Sequence, residues 1–212
     1  MNILSSELRF PNPDLTHETG IIAIGGDLSP ERLLLAYNSG IFPWYNEDEP
    51  ILWWCPEERM VLFPENLHIS KSMRPYLNKE KFQISHNTCF KEVITACSKV
   101  YRKGQEGTWI NNDMIDAYLK LHKLGYAHSV EVWKNDELVG GLYGVYLKRK
   151  GIFCGESMFS KISNASKFAF IKMVEHYNDL GLKLVDCQVY TKHLERLGAQ
   201  IMYREDFLKL LR

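Results

Sequence analysis

The sequence has no excess of either charge: Lys plus Arg and Asp plus Glu each number 26 in 212 residues. Zero formal charge argues against a globally basic nucleic-acid binder and leaves only a local cationic patch open. The five cysteines, Cys55, Cys89, Cys97, Cys154 and Cys187, are odd in number, widely spread and contain no C-x-x-C. That excludes a disulfide scaffold or a zinc ribbon, and a reducing cytoplasm is the expected compartment. No window approaches the ~18 unbroken apolar residues of a membrane span, and the opening MNILSSELRFPNPDL has no basic stretch followed by an apolar one. Neither a membrane segment nor a secretory signal is expected. Internal repeats and low-complexity tracts are missing too.

Several familiar catalytic motifs are also absent. There is no G-x-x-x-x-G-K-S/T loop and no G-x-S-x-G elbow, and Gly25-Gly26 lacks the spacing of a dinucleotide fingerprint. The seven histidines form no H-x-x-x-H pair, so no metal is expected. Cys187, Asp186 and His193 could imitate a thiol nucleophile set, but their spacing across a strand and a helix is a weak signal.

What is present is enough apolar material, 45% of the residues, to fill one large domain or a small lobe joined to a larger domain. The neutral total hides an asymmetry. Residues 1–58 hold ten acids against Arg9 and Arg32, whereas residues 65–105 hold eight bases against Glu65, Glu80 and Glu92. Lys148, Arg149 and Lys150 form a second basic cluster. The split suggests two lobes and a cationic face, although solvated lysines on helix exteriors explain the charge equally well.

In the acidic lobe, Ser29-Pro30-Glu31 supplies an N-cap, a proline for the first helical position and an early acid, so a helix is expected to run to Asn38 and stop at Gly40. Trp44, Trp53 and Trp54 then crowd a proline-broken region, as core packing or as a ligand-facing aromatic. The basic stretch predicts a strand over 60–63, a helix over 70–77, a strand over 82–86 and a helix carrying Phe90, Val93, Ile94 and Cys97. A further helix follows Asn111-Asn112 with a stripe of Ile115, Tyr118, Leu119 and His122, capped by Gly125. Residues 128–133, 138–147 and 152–159 read as an antiparallel meander. A helix after Asn164-Ala165-Ser166, a buried strand over 182–189, a helix over 191–197, a strand near Ile201 and a tail helix complete an α+β pattern.

Two strands carry misplaced polarity. In Leu184-Val185-Asp186-Cys187-Gln188-Val189, a period of two puts Asp186 and Gln188 on one face and Cys187 on the other. A buried carboxylate must meet a cation, a donor or a cavity, so Asp186 is either a site residue or a structural acid capping the next helix. Glu156 sits inside Phe153-Cys154-Gly155-Glu156-Ser157-Met158-Phe159, where it either binds a cationic group or lies in solvent on an edge, and Gly155 suggests a bulge.

These segments together resemble the leucyl/phenylalanyl-tRNA-protein transferase family almost end to end. The resemblance is carried by Gly25 to Leu34 (GGDLSPERLL), Gly40 to Trp44 (GIFPW), Pro50 to Trp54 (PILWW), Leu67 to Ser70 (LHIS) and Gly107 to Ile110 (GTWI). It continues through His128 to Trp133 (HSVEVW), Leu138 to Gly144 (LVGGLYG), Phe153 to Ser160 (FCGESMFS), Asn164 to Lys167 (NASK) and Asp186-Cys187-Gln188. It implies a small N-terminal lobe, residues 1–60, and a catalytic domain, residues 61–212, with the Gcn5-related N-acetyltransferase fold, a mixed and largely antiparallel sheet flanked by helices.

The implied activity moves leucine or phenylalanine, with methionine as a further donor, from aminoacyl-tRNA to the N-terminal Arg or Lys of a protein and marks it for N-degron degradation. The implied partners are leucyl-tRNA, phenylalanyl-tRNA and such proteins, with no DNA and no membrane. Residue by residue, Trp44 and Trp109 would hold the terminal adenosine of the tRNA. Leu142, Phe153, Met158, Met173 and Val185 would take the donor side chain. Two of these depart from the family pattern, Leu142 standing in place of methionine and Met173 in place of phenylalanine. Gln188, held by Asp186, would orient the attacking amine and help accept its proton, and Glu156 would contact the acceptor's basic side chain. No metal or cofactor is implied: the R/Q-x-x-G-x-G/A loop of coenzyme A enzymes is missing, and Ser163-Asn164-Ala165-Ser166 stands near its place. The competing expectations are a coenzyme A-dependent N-acyltransferase on the same fold and a non-catalytic RNA-binding module using residues 65–105 and the tryptophans.

Overall fold

The computed structural model describes residues 2–15, 19–78, 81–100 and 108–212. His17, Lys79, Glu80, Arg102, Lys103 and Gly107 lie outside the described residues. A four-stranded sheet of order β1-β2-β4-β3 is built from β1 (Asn2–Leu4), β2 (Ile21–Gly25), β3 (Phe42–Pro43) and β4 (Leu52–Trp54). Helix α1 (Pro30–Asn38) starts as expected, with the Ser29 hydroxyl accepting from the Arg32 backbone N–H and Pro30 at its first position. Gly40 ends it at φ +77°, where a Cβ would lie 2.7 Å from the Leu208 side chain, so the turn needs glycine for both conformation and space.

The larger sheet has seven strands in the order β11-β5-β10-β9-β8-β7-β6. In chain order its elements are β5 (Glu58–Leu62), α2 (Arg74–Asn78), β6 (Gln83–His86), α3 (Phe90–Ser98), α4 (Asn112–Lys123), β7 (Ala127–Lys134), β8 (Glu137–Leu147) and β9 (Ile152–Ser160). Then come α5 (Ala165–Asp179), β10 (Leu184–Gln188), α6 (Lys192–Glu195), β11 (Gln200–Tyr203) and α7 (Arg204–Leu211). β7, β8 and β9 form the expected meander, and Asn135 and Asp136 turn the first hairpin at φ +50° and +62°. Every neighbouring pair in this sheet is antiparallel except β9 and β10. The α+β class, with a mixed sheet flanked by helices, is therefore the one expected.

Two cores sandwich this sheet. Val61, Tyr143, Val145, Cys154 and Phe159 pack with α3, α4, α1 and the smaller sheet, while Leu142, Phe153 and Val185 pack with α5. Glu131, wholly buried on β7, accepts from the hydroxyls of Ser85, Thr88 and Ser129 and so ties β6 to β7.

Two local expectations change. α2 begins at Arg74 rather than Ser70, because Pro75 is tolerated in a first turn but would clash with the carbonyl of residue 71 in a longer helix. α4 buries Met114, Ala117, Tyr118 and Leu121, a face turned by about one residue from the expected stripe, so that Ile115 and Leu119 are only half-buried. The period was right, but packing against both α3 and β7 selected a neighbouring face.

Candidate active site

The site forms where two parallel strands part. β9 and β10 pair only as far as Cys154 with Asp186, yet they run on to Ser160 and Gln188. Both strands are irregular at this point. On β9, Ser157 faces Tyr143 and Gly155 faces Gly144, so Glu156 is the extra residue of a bulge. Gly144 permits this approach, since a Cβ there would stand 2.3 Å from the Cys154 carbonyl oxygen. On β10 the register slips between Asp186 and Gln188, and Gln188 takes φ +63°.

The bulge in β9 corrects the expected faces. Regular alternation would separate Phe153 from Met158 and join Phe153 to Phe159. Instead Phe153 and Met158 pack on the α5 side, while Cys154 and Phe159 pack on the other. On β10 the slip after Asp186 turns Gln188 toward the cavity, so it does not share the face expected with Asp186 and instead meets Cys187, which faces the cavity with Val185 by the period of two. Its thiol is pushed well up by burial, which disfavours a thiolate nucleophile.

The parted strands enclose a cavity of about 360 Å³. Leu142, Phe153, Met158, Met173 and Val185 line its apolar part, Trp44 and Trp109 its rim, and Glu156 and Gln188 its polar part. Trp44 is 37% exposed and is braced by Trp54, whose indole N–H donates to the Trp44 carbonyl at 2.6 Å. Trp53, in contrast, is wholly buried, so the tryptophan cluster divides between core and rim.

Asp186 lies behind the cavity with no exposed surface. Its carboxylate takes a two-pronged ion pair from Arg59, at 2.7 Å from Nε and 2.6 Å from Nη2, and Oδ1 also accepts the Gln188 backbone N–H at 2.9 Å. Arg59 is equally buried, between the rings of Phe42 and Phe207 at 4.7 and 4.6 Å. Asp186 thus holds the Gln188 backbone, whereas the Gln188 side chain donates to Glu156 Oε1 at 2.8 Å. Glu156 Oε2 accepts from the Tyr118 hydroxyl at 2.9 Å, and Tyr118 in turn meets the hydroxyl of Tyr37 from α1. Desolvation pushes the Glu156 carboxyl up to about 7, against the hydrogen bonds of both tyrosines and Gln188. Among the described residues no cation pairs with Glu156.

Sequence reasoning missed Arg59, Tyr37, Tyr118, Phe42 and Phe170. Arg59 had one signal, being the only base between Arg32 and Lys71, and Phe170 stands one helical turn before Met173 on α5. The tyrosines gave none, since each reads as an ordinary core aromatic. Among the described residues no group of three or more His, Cys, Asp or Glu could hold a metal ion. Asn164 precedes α5 at φ +71° and makes no side-chain cap bond.

An apolar slot between parting strands, aromatic at its mouth and ending in an amide and an unpaired carboxyl, suits a transferase that orients an acyl or aminoacyl donor beside an incoming amine. The comparisons narrow that class. The leucyl/phenylalanyl-tRNA protein transferase family model matches residues 61–212, and the model of that family's N-terminal domain matches residues 26–57. The leucyl/phenylalanyl-tRNA–protein transferase of Christiangramia forsetii is 58% identical over 211 residues, covering 100% of both chains. That of Flavobacterium johnsoniae is 57% identical over 212 residues, covering 100% of this chain and 99% of its own. The chain belongs to the leucyl/phenylalanyl-tRNA–protein transferase family. The fold is shared with FemX, at a TM-score of 0.53 and 10% identity, over 82% of this chain and 66% of FemX.

Proposed function

We propose that this chain transfers leucine or phenylalanine from aminoacyl-tRNA to the N-terminal Arg or Lys of a protein in the cytoplasm, marking that protein for degradation. The observation that carries the reading is the Glu156–Gln188 pair at the polar end of an apolar cavity, an amide beside a carboxyl that meets no cation among the described residues. Residues 1–60 act as a lobe that supplies Trp44 and Phe42 and the Arg59 that holds Asp186, and residues 61–212 supply the donor slot, Trp109, Glu156, Asp186 and Gln188.

The donor side chain enters the slot of Leu142, Phe153, Met158, Met173 and Val185, and the terminal adenosine stacks on Trp44 and Trp109. The acceptor's guanidinium or ammonium meets Glu156. A cation there stabilises the ionised carboxylate, so the side chain poised near 7 gives up its proton as the acceptor binds. Gln188, its backbone fixed by Asp186 and Arg59, orients the α-amine.

The ester is already activated and an α-amine titrates near 8, so orientation is the main task, worth roughly 7–11 kcal/mol of barrier for well-aligned reactants. The amine nitrogen attacks the ester carbonyl, the carbon–oxygen bond to the ribose breaks, and the nitrogen's proton passes to the departing hydroxyl. A peptide bond and deacylated tRNA result. Incubation with charged leucyl-tRNA and an Arg-initiated peptide tests the reading: a leucylated peptide supports it, and no product with a bound tRNA rejects it.

A further inference from the structure

Away from the active site, the turn between β8 and β9 carries Lys148, Arg149 and Lys150 at the edge of a second, half-open pocket. His128, His176 and Tyr126 also line it, and among the described residues no carboxylate does. In a chain whose acids and bases balance, such a one-signed lining is a local feature. The ends of α4 and α5 lie here, and cations near helix C-termini ordinarily cap carbonyls. Lys150 does so at a third helix end, donating to the backbone carbonyl of Leu211, the last residue of α7. Such capping does not account for Lys148 and Arg149, which stand exposed and, among the described residues, in no ion pair with an acid. The rim is apolar and exposed at Leu124 and Leu180, and Tyr126 offers an aromatic face.

Unpaired cations on a turn beside an aromatic face suit a polyanion with rings, and the donor of the proposed reaction is one. The two cavities adjoin through the sheet: Phe153, which lines the first, and Tyr146, which lines this one, have ring centroids 6.4 Å apart. A nucleic-acid strand whose terminal adenosine sits in the first cavity carries a phosphate at every nucleotide behind it. We propose that Lys148 and Arg149 dock the phosphate backbone of the donor tRNA. The inference rests on the aminoacyl-tRNA reading above.

The test compares the full chain with its Lys148→Ala/Arg149→Ala double variant, whose changes lie on an exposed turn. Fluorescence anisotropy with deacylated tRNA reads binding, and transfer is measured from aminoacyl-tRNA and from 3′-aminoacyl-adenosine, which has no phosphate. The variant binds tRNA about tenfold more weakly, and the slope of log Kd against log salt falls by about 1.5, near 0.7–0.9 for each lost phosphate contact. Transfer from the minimal donor is unchanged. An unaltered tRNA affinity and salt slope overturn the proposal, as does a parallel loss with the minimal donor. Loss of binding to poly-glutamate with tRNA affinity intact also overturns it, in favour of an acidic protein partner. If the wild type transfers from neither donor, the transferase reading fails, while the anisotropy titration still decides the docking surface.

Discussion

Replacing Asp186 by alanine removes one half of an ion pair in which both side chains are only 1% exposed. The Arg59 guanidinium is then left buried with two aromatic faces and no carboxylate. Breaking a buried pair from one side costs about 3–5 kcal/mol, because the remaining charge loses its compensation. For a chain of this size each kcal/mol shifts the melting temperature by roughly 2–4 °C, so Asp186→Ala should melt about 6–20 °C below wild type. Activity loss in that variant alone therefore mixes unfolding with misplacement of Gln188. Adding Arg59→Met to Asp186→Leu separates the two, since replacing a whole buried pair by apolar groups of similar volume is often neutral. Differential scanning calorimetry should show most of the stability restored, and the peptide-transfer assay should show activity still lost, because the Gln188 backbone N–H has no acceptor. A double variant as unstable as the single one refutes the charge argument. One that is stable and fully active refutes the positioning role of Asp186.

Other outcomes follow from the same geometry. Glu156 holds its proton from about 4.5 to about 7 in the folded state, so folded protein binds more protons than unfolded across that window and stability falls as pH rises through it. Glu156→Gln should therefore gain stability relative to wild type between those pH values and level off above 7; a constant difference across the range would contradict a buried carboxyl. The same variant should raise KM for an Arg-initiated peptide by ten- to a hundredfold and change KM for aminoacyl-tRNA little, and equal changes in both would argue against an acceptor role. Trp44→Ala and Trp109→Ala should each weaken donor binding by roughly 1–3 kcal/mol, with partial recovery in Trp44→Phe, measured as donor KM at saturating peptide. Met173→Ala should move the leucine-to-phenylalanine preference toward the larger side chain by no more than about 200-fold in a competition assay, and no shift would place the donor side chain elsewhere.

The meander, α1 and α5 were legible because their signals are local: alternation, a Ser-Pro-Glu start, glycine stops. Nine of the ten site residues expected from the resemblance line one cavity, and Asp186 lies directly behind it. What was not legible depends on register between distant segments. That Phe153 and Met158 share a face follows from a bulge that Gly155 hinted at but could not place. Arg59 reaches Asp186 across 127 positions of sequence, and the Tyr37–Tyr118 contact joins α1 to α4 across 81. Periodicity ranks which side chains turn inward and is silent on which inward polar groups will meet.

The ring of Phe207 on α7 closes one side of the Arg59 guanidinium, and Phe42 on β3 closes the other. The two rings come from opposite ends of the order of synthesis. A change in α7 therefore reaches the Gln188 backbone through ring, guanidinium and carboxylate in turn, although α7 places no side chain in the cavity.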